Sequence, residues 1–331
     1  MRLRFKATHV VLGMLCIMYL ITYVDRVNIS TAASEIQKEL HLSNTELGFA
    51  FSAFAYPYLL FQVIGGWVGD RFGPRKTLVW CGVIWAWYFR NEPKDHPSIT
   101  EAELASLPPR PVNLRPQVPW GPLLGRMWPV TLTYFCYGWS LWLYLNWLPL
   151  FFKNSYNLDI KNSALFASGV FFAGVVGDSL GGIMSDGILR KTGNVRLARL
   201  SVTVLGFAGA LASLIPILFV HDITVVALCL SGGFFFSEIC IGPMWSIPMD
   251  IAPKYSGTAA GLMNTGSAAA AIVSPLVAGY VIDITGNWYL PFLMSMGLLV
   301  LGGFCAFLMH PELPFTEEDA MVPAGRAAPA E

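Results

Sequence analysis

The stretch Gly66-Trp67-Val68-Gly69-Asp70-Arg71-Phe72-Gly73-Pro74-Arg75-Lys76 decides the fold. It closes a long apolar run and changes at once to glycines and alternating charge. A helix leaving a lipid bilayer ends in this way. The apolar run crosses the hydrocarbon, glycine permits a tight turn, and Arg and Lys stay at the headgroups. The composition of the whole chain agrees. Of 331 residues, 55% are hydrophobic and 13% charged, with a mean hydropathy of +0.55, whereas soluble domains carry about 25% charged residues. The net charge is zero, which gives no basis for a nucleic-acid partner.

Working outward, a helix needs about 20 apolar residues to cross the hydrocarbon core. Eight stretches qualify: His9–Ser30, Leu47–Gly69, Trp128–Phe152, Ala164–Met184, Leu200–Val220, Ile223–Met249, Gly257–Ile282 and Trp288–Met309. A ninth, Thr77–Phe89, has 13 residues, about 20 Å at about 1.5 Å per residue, too short to cross unaided. The basic start Met1–Lys6 and the run after it lead into Asp25-Arg26 rather than a small-residue cleavage site, so they read as a retained first helix. The six cysteines (Cys16, Cys81, Cys136, Cys229, Cys240, Cys305) lie in apolar runs without metal-ligand or redox spacing. No cofactor or metal is expected.

Lys and Arg set the orientation. The N-terminus, the Arg71–Lys76 turn, the polar stretch Arg90–Arg126 and the turn holding Arg190, Lys191, Arg196 and Arg199 are rich. The connections between them carry only Lys38, Lys153 and Lys161. All rich segments fall on one side only if Thr77–Phe89 crosses an even number of times. The stub is therefore expected not to span, with both termini cytoplasmic. Residues 1–89 then form a short N-terminal membrane block, 90–126 a Pro-rich cytoplasmic linker, 127–310 a six-helix membrane block, and 311–331 a disordered tail.

The two blocks share a motif. Gly66-x-x-x-Asp70-Arg71 ends the second span, and Gly182-x-x-x-Asp186, followed by Arg190-Lys191, ends the fourth. The same loop in the same topological place is the pattern of parallel transporter repeats.

Further motifs extend this. They are Tyr23-Val24-Asp25-Arg26-Val27-Asn28, Phe51-Ser52-Ala53-Phe54-Ala55-Tyr56-Pro57-Tyr58, Trp147-Leu148-Pro149, Gly257-Thr258-Ala259-Ala260-Gly261-Leu262-Met263-Asn264 and Ser274-Pro275. With the Gly65–Gly73 loop they make the chain resemble the major facilitator superfamily, in particular its anion:cation symporter branch with the bacterial hexuronate, glucarate and galactonate transporters. The resemblance implies an all-α membrane protein with a twelve-span fold, here incomplete, leaving eight transmembrane helices and one short stub. Thr77–Ala86 resembles the start of the family's third helix, and Trp87–Pro93 the exit of its sixth. Four spans between them are missing, roughly 100 residues at about 20–25 per span with loops.

Candidate site residues follow. Asp25 and Arg26 sit near mid-membrane, where ionisable residues are functional hypotheses by default; the plainer alternative is an interfacial pair at the outer end of a shorter helix. The resemblance implies that Arg26 grips a substrate carboxylate, for which a bidentate guanidinium is suited, with Asp25 as counter-ion and proton site. It also makes Tyr58 a substrate-facing residue beside Pro57, and Asn264 and Trp245 pocket residues, against packing roles for each. Glu238 and Asp178 are buried acids in the second block, Glu238 being a candidate proton carrier and otherwise a neutral acid bonded between helices. The resemblance makes Gly66, Asp70, Arg71, Gly73, Arg75 and Lys76 a gate loop, with Asp186 and Arg190 as its counterpart. The family's further proton-linked acid in its fourth span has no equivalent here.

The first functional expectation is a secondary active carrier, not an enzyme, for organic anions such as sugar acids or small carboxylates. It would be proton-coupled, work by alternating access and reside in a bacterial-type inner membrane. The second is a transport-incompetent truncated membrane protein with a structural or partner-binding role, for which a second copy would complete the cavity.

Overall fold

The computed structural model describes residues 13–14, 16–17, 29–73 and 118–315, and the regular elements among them are all helical. Helical residues 29–40 are followed by α1 (Asn44–Ala53), α2 (Ala55–Phe72), α3 (Trp120–Tyr156), α4 (Ile160–Thr192), α5 (Val195–Leu214), α6 (Ile223–Ile239), α7 (Ile241–Ile251), α8 (Ser256–Thr285) and α9 (Leu290–Ala306). Five segments are long and apolar enough to span a membrane: Asn44–Phe72, Ile160–Thr192, Val195–Leu218, Ile223–Ile251 and Pro253–Thr285. α3, with 37 residues, is about 55 Å long and richer in Trp and Tyr. α9 is a 17-residue apolar helix. Together they account for seven of the eight expected spans; most of His9–Ser30, the stub Thr77–Phe89, the linker as far as residue 117 and the tail from 316 lie outside the described residues.

Proline explains why two of the spans are broken. A proline inside a helix removes one hydrogen bond and pushes its ring against the carbonyl four residues back. α1 stops at Ala53, four residues before Pro57, and α6 stops at Ile239, four residues before Pro243. Each continues at once as α2 or α7. The helix ends are capped from the sequence. Ser43 and Glu46 form a capping box on α1, and Asp159, Asn194 and Asp222 accept from first-turn amides of α4, α5 and α6.

Three boundaries differ from the sequence reading. α2 runs through Phe72, so Gly66, Asp70 and Arg71 are helical; the turn begins at Gly73, whose φ of 87° requires glycine. α3 begins at Trp120, inside the stretch read as linker, because Pro122 falls in the first turn, where a missing amide costs nothing. The tail read as disordered from Pro311 is held as far as Phe315. That ring packs near Tyr255, its amide donates to the Ile251 carbonyl at 2.6 Å, and Arg126 donates to the Leu313 carbonyl.

α3 to α9 form one block, and α1 and α2 lie against its α8. Aromatic contacts weld the two: Phe51 meets Trp147 edge-on at 5.5 Å, and Phe54 approaches Trp142 at 6.3 Å. Polar contacts sort by membrane face. Asp70 meets Gly257 at one face, where Arg199 pairs with Asp186 and Asp250 and Arg196 with Glu312. Asn44 meets Asp283 at the other, where Lys153 approaches Glu35. The Arg71 end of α2 and the Arg190–Arg199 turn thus share a face.

Candidate functional site

The site is organised by the pair α1–α2 and α8, which run antiparallel from one face to the other. Lipid supplies no hydrophobic drive between helices, so close approach depends on small residues. A Cβ on Gly66 would lie 2.3 Å from the Gly257 carbonyl oxygen, one on Gly261 2.7 Å from that of Gln62, and one on Gly48 2.6 Å from that of Pro275. The Ser52 hydroxyl adds a bond to the Ile272 carbonyl at 2.8 Å. Backbone meets backbone along the whole seam.

Within it, nearer the Asp70 end, is a polar cluster. The Asn264 amide nitrogen donates to the Tyr58 hydroxyl at 2.9 Å and to Gln62 Oε1 at 2.9 Å. Asn264 is buried, while Tyr58 and Gln62 are half-buried. Two of the sequence candidates are therefore direct partners. Gln62 was missed, although a polar amide one turn after Tyr58 on the same face was the available signal.

At the end of the seam Asp70 caps α8. Its carboxylate accepts from the Gly257 amide at 3.0 Å, the Thr258 amide at 2.6 Å and the Thr258 hydroxyl at 2.7 Å, where the first-turn amides have no helical partner. The Arg71 guanidinium lies 5.2 Å from the centre of the Trp67 ring. The counterpart motif behaves differently. Asp186 accepts from Arg199 at 3.3 Å, and Arg199, buried, also donates to Asp250 at 2.9 Å and to Ser185 at 2.8 Å. Arg190 is exposed, with no ion pair among the described residues. In one block the aspartate reaches across to the other; in the second it closes on its own arginine. Arg199 was counted only for its charge in the sequence.

Trp245 and Glu238 lie inside the larger block. Glu238 is buried and accepts from the Tyr137 hydroxyl at 3.0 Å; Tyr137 stacks on Tyr134, which meets Trp245 edge-on at 6.3 Å. Trp245 is joined to Glu238 through these rings, not to Asn264. On the same face of α3 as Tyr137, Thr133 Oγ1, Ser140 Oγ and the Tyr144 hydroxyl are buried with no partner among the described residues. Asp178, read as buried, is exposed on α4. Asp25, Arg26, Arg75 and Lys76 lie outside the described residues. Among the described residues no His, Cys, Asp and Glu cluster suits a metal.

An antiparallel helix pair that is glycine-packed, polar between its ends and capped by the acid of a Gly-x-x-x-Asp motif belongs to a multi-pass carrier fold. Comparison with known proteins identifies it. The sequence model of the Major Facilitator Superfamily matches residues 15–86 and 79–275, and the chain belongs to that family. It is an integral, multi-pass membrane protein. The match falls into two pieces that overlap over residues 79–86. The probable sulfoacetate transporter of Cupriavidus necator is 36% identical over 419 aligned positions, covering 96% of this chain and 97% of the relative. A chain of 331 residues leaves at least 88 of those 419 positions facing gaps, so the facilitator fold is incomplete here. The probable galactarate/D-glucarate transporter of Escherichia coli is 24% identical over 407 positions, covering 86% of this chain and 89% of the relative. The crystal structure of a bacterial homologue of the human lysosomal transporter Spinster, inward-facing and occupied, aligns with a TM-score of 0.57 at 12% identity, over 96% of this chain and 99% of that one. That likeness speaks for the fold alone.

Proposed function

We propose that the chain derives from, and retains the substrate-side elements of, a carrier for small organic anions, with alternating access and proton coupling as its mechanism. The observation that carries this is the Tyr58–Gln62–Asn264 cluster, set inside the seam between the two blocks, nearer its Asp70 end, at the kind of interface where such folds put their substrate. Donors and acceptors held at that depth suit the hydroxyl and carboxylate groups of a sugar acid or a sulfonate. Arg26 is the anion-binding cation in this reading and Asp25 its counter-ion. Glu238, held by Tyr137, is the proton carrier in the larger block, with Trp245 setting the shape of the wall between. The Gly66–Lys76 segment is the gate, and its face is cytoplasmic. The relatives' substrates, sulfoacetate and glucarate, support an anionic cargo.

A second reading rests on Asp178. It is exposed halfway along α4, without hydrogen bond or ion pair among the described residues, and α4 packs on α6, α5, α7 and α3 of its own block. An acid so placed wants a wall in front of it. In this reading the missing spans leave the pathway unsealed and the chain does not transport, unless a second copy closes it. Reconstitution decides between the two. Liposomes holding this chain, and others holding the Cupriavidus relative, are given labelled sulfoacetate or D-glucarate under an imposed proton gradient. Accumulation by this chain that Asn264→Ala abolishes supports the carrier; accumulation by the relative alone leaves the second reading.

A further inference from the structure

The seam has a second acid at its far end. Asp283 lies in the last turn of α8, two residues before its end, as Asp70 lies two residues before the end of α2. Asp283 Oδ1 accepts from the Asn44 amide at 3.1 Å and from Asn44 Nδ2 at 2.8 Å; its Oδ2 accepts from the Thr45 amide at 2.7 Å and from the Thr45 hydroxyl. Asn44 and Thr45 open α1. Each helix of the antiparallel pair therefore caps the first turn of the other, with a carboxylate on two successive amides and a threonine hydroxyl at both ends. Glycine brings the backbones together beside each cap. A Cβ on Gly279 would lie 2.3 Å from the Asn44 carbonyl oxygen, matching that on Gly66 against Gly257. Asp283 belongs to no motif, so only tertiary contact reveals its role.

We propose that Asp283 is a second gate latch, at the membrane face opposite Asp70, and that the two reciprocal caps open in alternation. This rests on the alternating-access reading. The physical case is that the two helices cannot part at one face without stripping a carboxylate from two amides that have no other partner. Nor can they part at both faces without losing the whole seam. Opening at one end leaves the other cap as the pivot, so the two caps are antagonists: loosening one favours the state in which the other is closed. A pair of mere staples would not be coupled.

Amide hydrogen exchange reads the capped groups directly, on the full chain in lipid nanodiscs and without any transport. In Asp283→Asn, exchange at Asn44 and Thr45 is expected to rise about tenfold, which is ~1.4 kcal/mol of opening free energy, while exchange at Gly257 and Thr258 slows. Asp70→Asn gives the mirror result. Thr45→Val, which removes only the hydroxyl bonded to Asp283, gives the same pattern more weakly and serves if Asp283→Asn does not fold. The proposal is overturned if exchange at Asn44 and Thr45 does not change, or if it rises while Gly257 and Thr258 stay as they were. Antagonism without anion uptake would leave the latch standing and remove only the carrier reading.

Discussion

Three glycines close together in α2 make opposite predictions. A Cβ at Gly66 would sit 2.3 Å from the Gly257 carbonyl oxygen, 2.9 Å from its carbon and 3.3 Å from the Thr258 nitrogen, whereas Gly65 and Gly69 have nothing within 4 Å. Ordinary contact begins near 3.4 Å, so Gly66→Ala drives the two backbones about 1 Å apart at that point, since neither side is a flexible side chain. The Asp70 bonds, at 2.6 to 3.0 Å, do not survive such a displacement. Losing a helix cap costs about 1 kcal/mol, and losing the charge from the helix start a further 0.3–1 kcal/mol or so. Asp70 is exposed, so the lower part of that range applies. Gly66→Ala should therefore open the α8 first turn by about 1–2 kcal/mol, a factor of roughly 5–30. Gly65→Ala and Gly69→Ala gain the same helix propensity without the clash, so the contrast cancels that gain. The assay is amide exchange at Gly257 and Thr258 in nanodiscs, with the melting temperature of each variant alongside. If Gly66→Ala behaves as Gly65→Ala does, close backbone approach is not what holds the seam, and the reasoning fails.

Two further outcomes follow from charge. Arg199→Met leaves Asp250 and Asp186 without their cation and should cost about 3 kcal/mol, the low end for breaking a buried pair because Asp186 is 64% exposed; recovery of thermal stability on adding Asp250→Asn is expected, and its absence would refute the pairing. The tail contact should weaken in acid. Burial pushes the Glu312 carboxyl up, but its own backbone amide, His310 and the Arg196 charge more than offset that and hold it below the ordinary 4.5. A lowered folded value gives stability that is present above about pH 4.5 and is lost as pH falls through the folded value. Protease cutting near His310–Phe315 should rise below that point, and Glu312→Gln should flatten the profile.

Seven spans were legible because apolar length and Lys/Arg bias are properties of composition alone; their described ends fall within five residues of the readings except at Trp120 and Thr192, where the helices run eight residues further. The two proline breaks were legible in kind but not in place: a ring at Pro57 or Pro243 acts on the carbonyl four residues earlier, so the helix ends there and not at the proline. The Gly66–Gly73 segment shows what a motif hides. Gly66 looked like a turn residue, yet its work is mid-helix, where it lets Gly257 approach; only Gly73 needs the positive φ. The Tyr58–Asn264 bond joins residues 206 apart, which no local pattern encodes. Arg199 and Asp283 were invisible for the same reason. Each is an ordinary charged residue at a helix end until tertiary contact supplies its partners, Asp186 and Asp250 for the one, Asn44 and Thr45 for the other.

The missing spans separate two properties that an intact carrier combines, gating and sealing. Gating needs a hinge pair whose ends are held by breakable contacts, and in the proposed reading that pair is α1–α2 with α8. Both members are present, along with the caps at both ends and the polar cluster between them. Sealing needs a continuous wall on each side of the site, and α4, with Asp178 exposed at mid-helix, shows where no wall stands among the described residues. What keeps the short block docked is therefore also what would move. α1 and α2 bury Leu47, Phe51, Ser52 and Ala55 against their neighbours but leave Leu60, Phe61 and Ile64 exposed, so their fold depends on α8 rather than on a core of their own. Removing either cap loosens attachment at its own face and, in the proposed latch, favours closure at the other. A chain that shows antagonistic caps but accumulates no anion would thus be defective in its wall, not in its hinge, and supplying the absent spans as a separate polypeptide should restore accumulation without changing exchange at the caps.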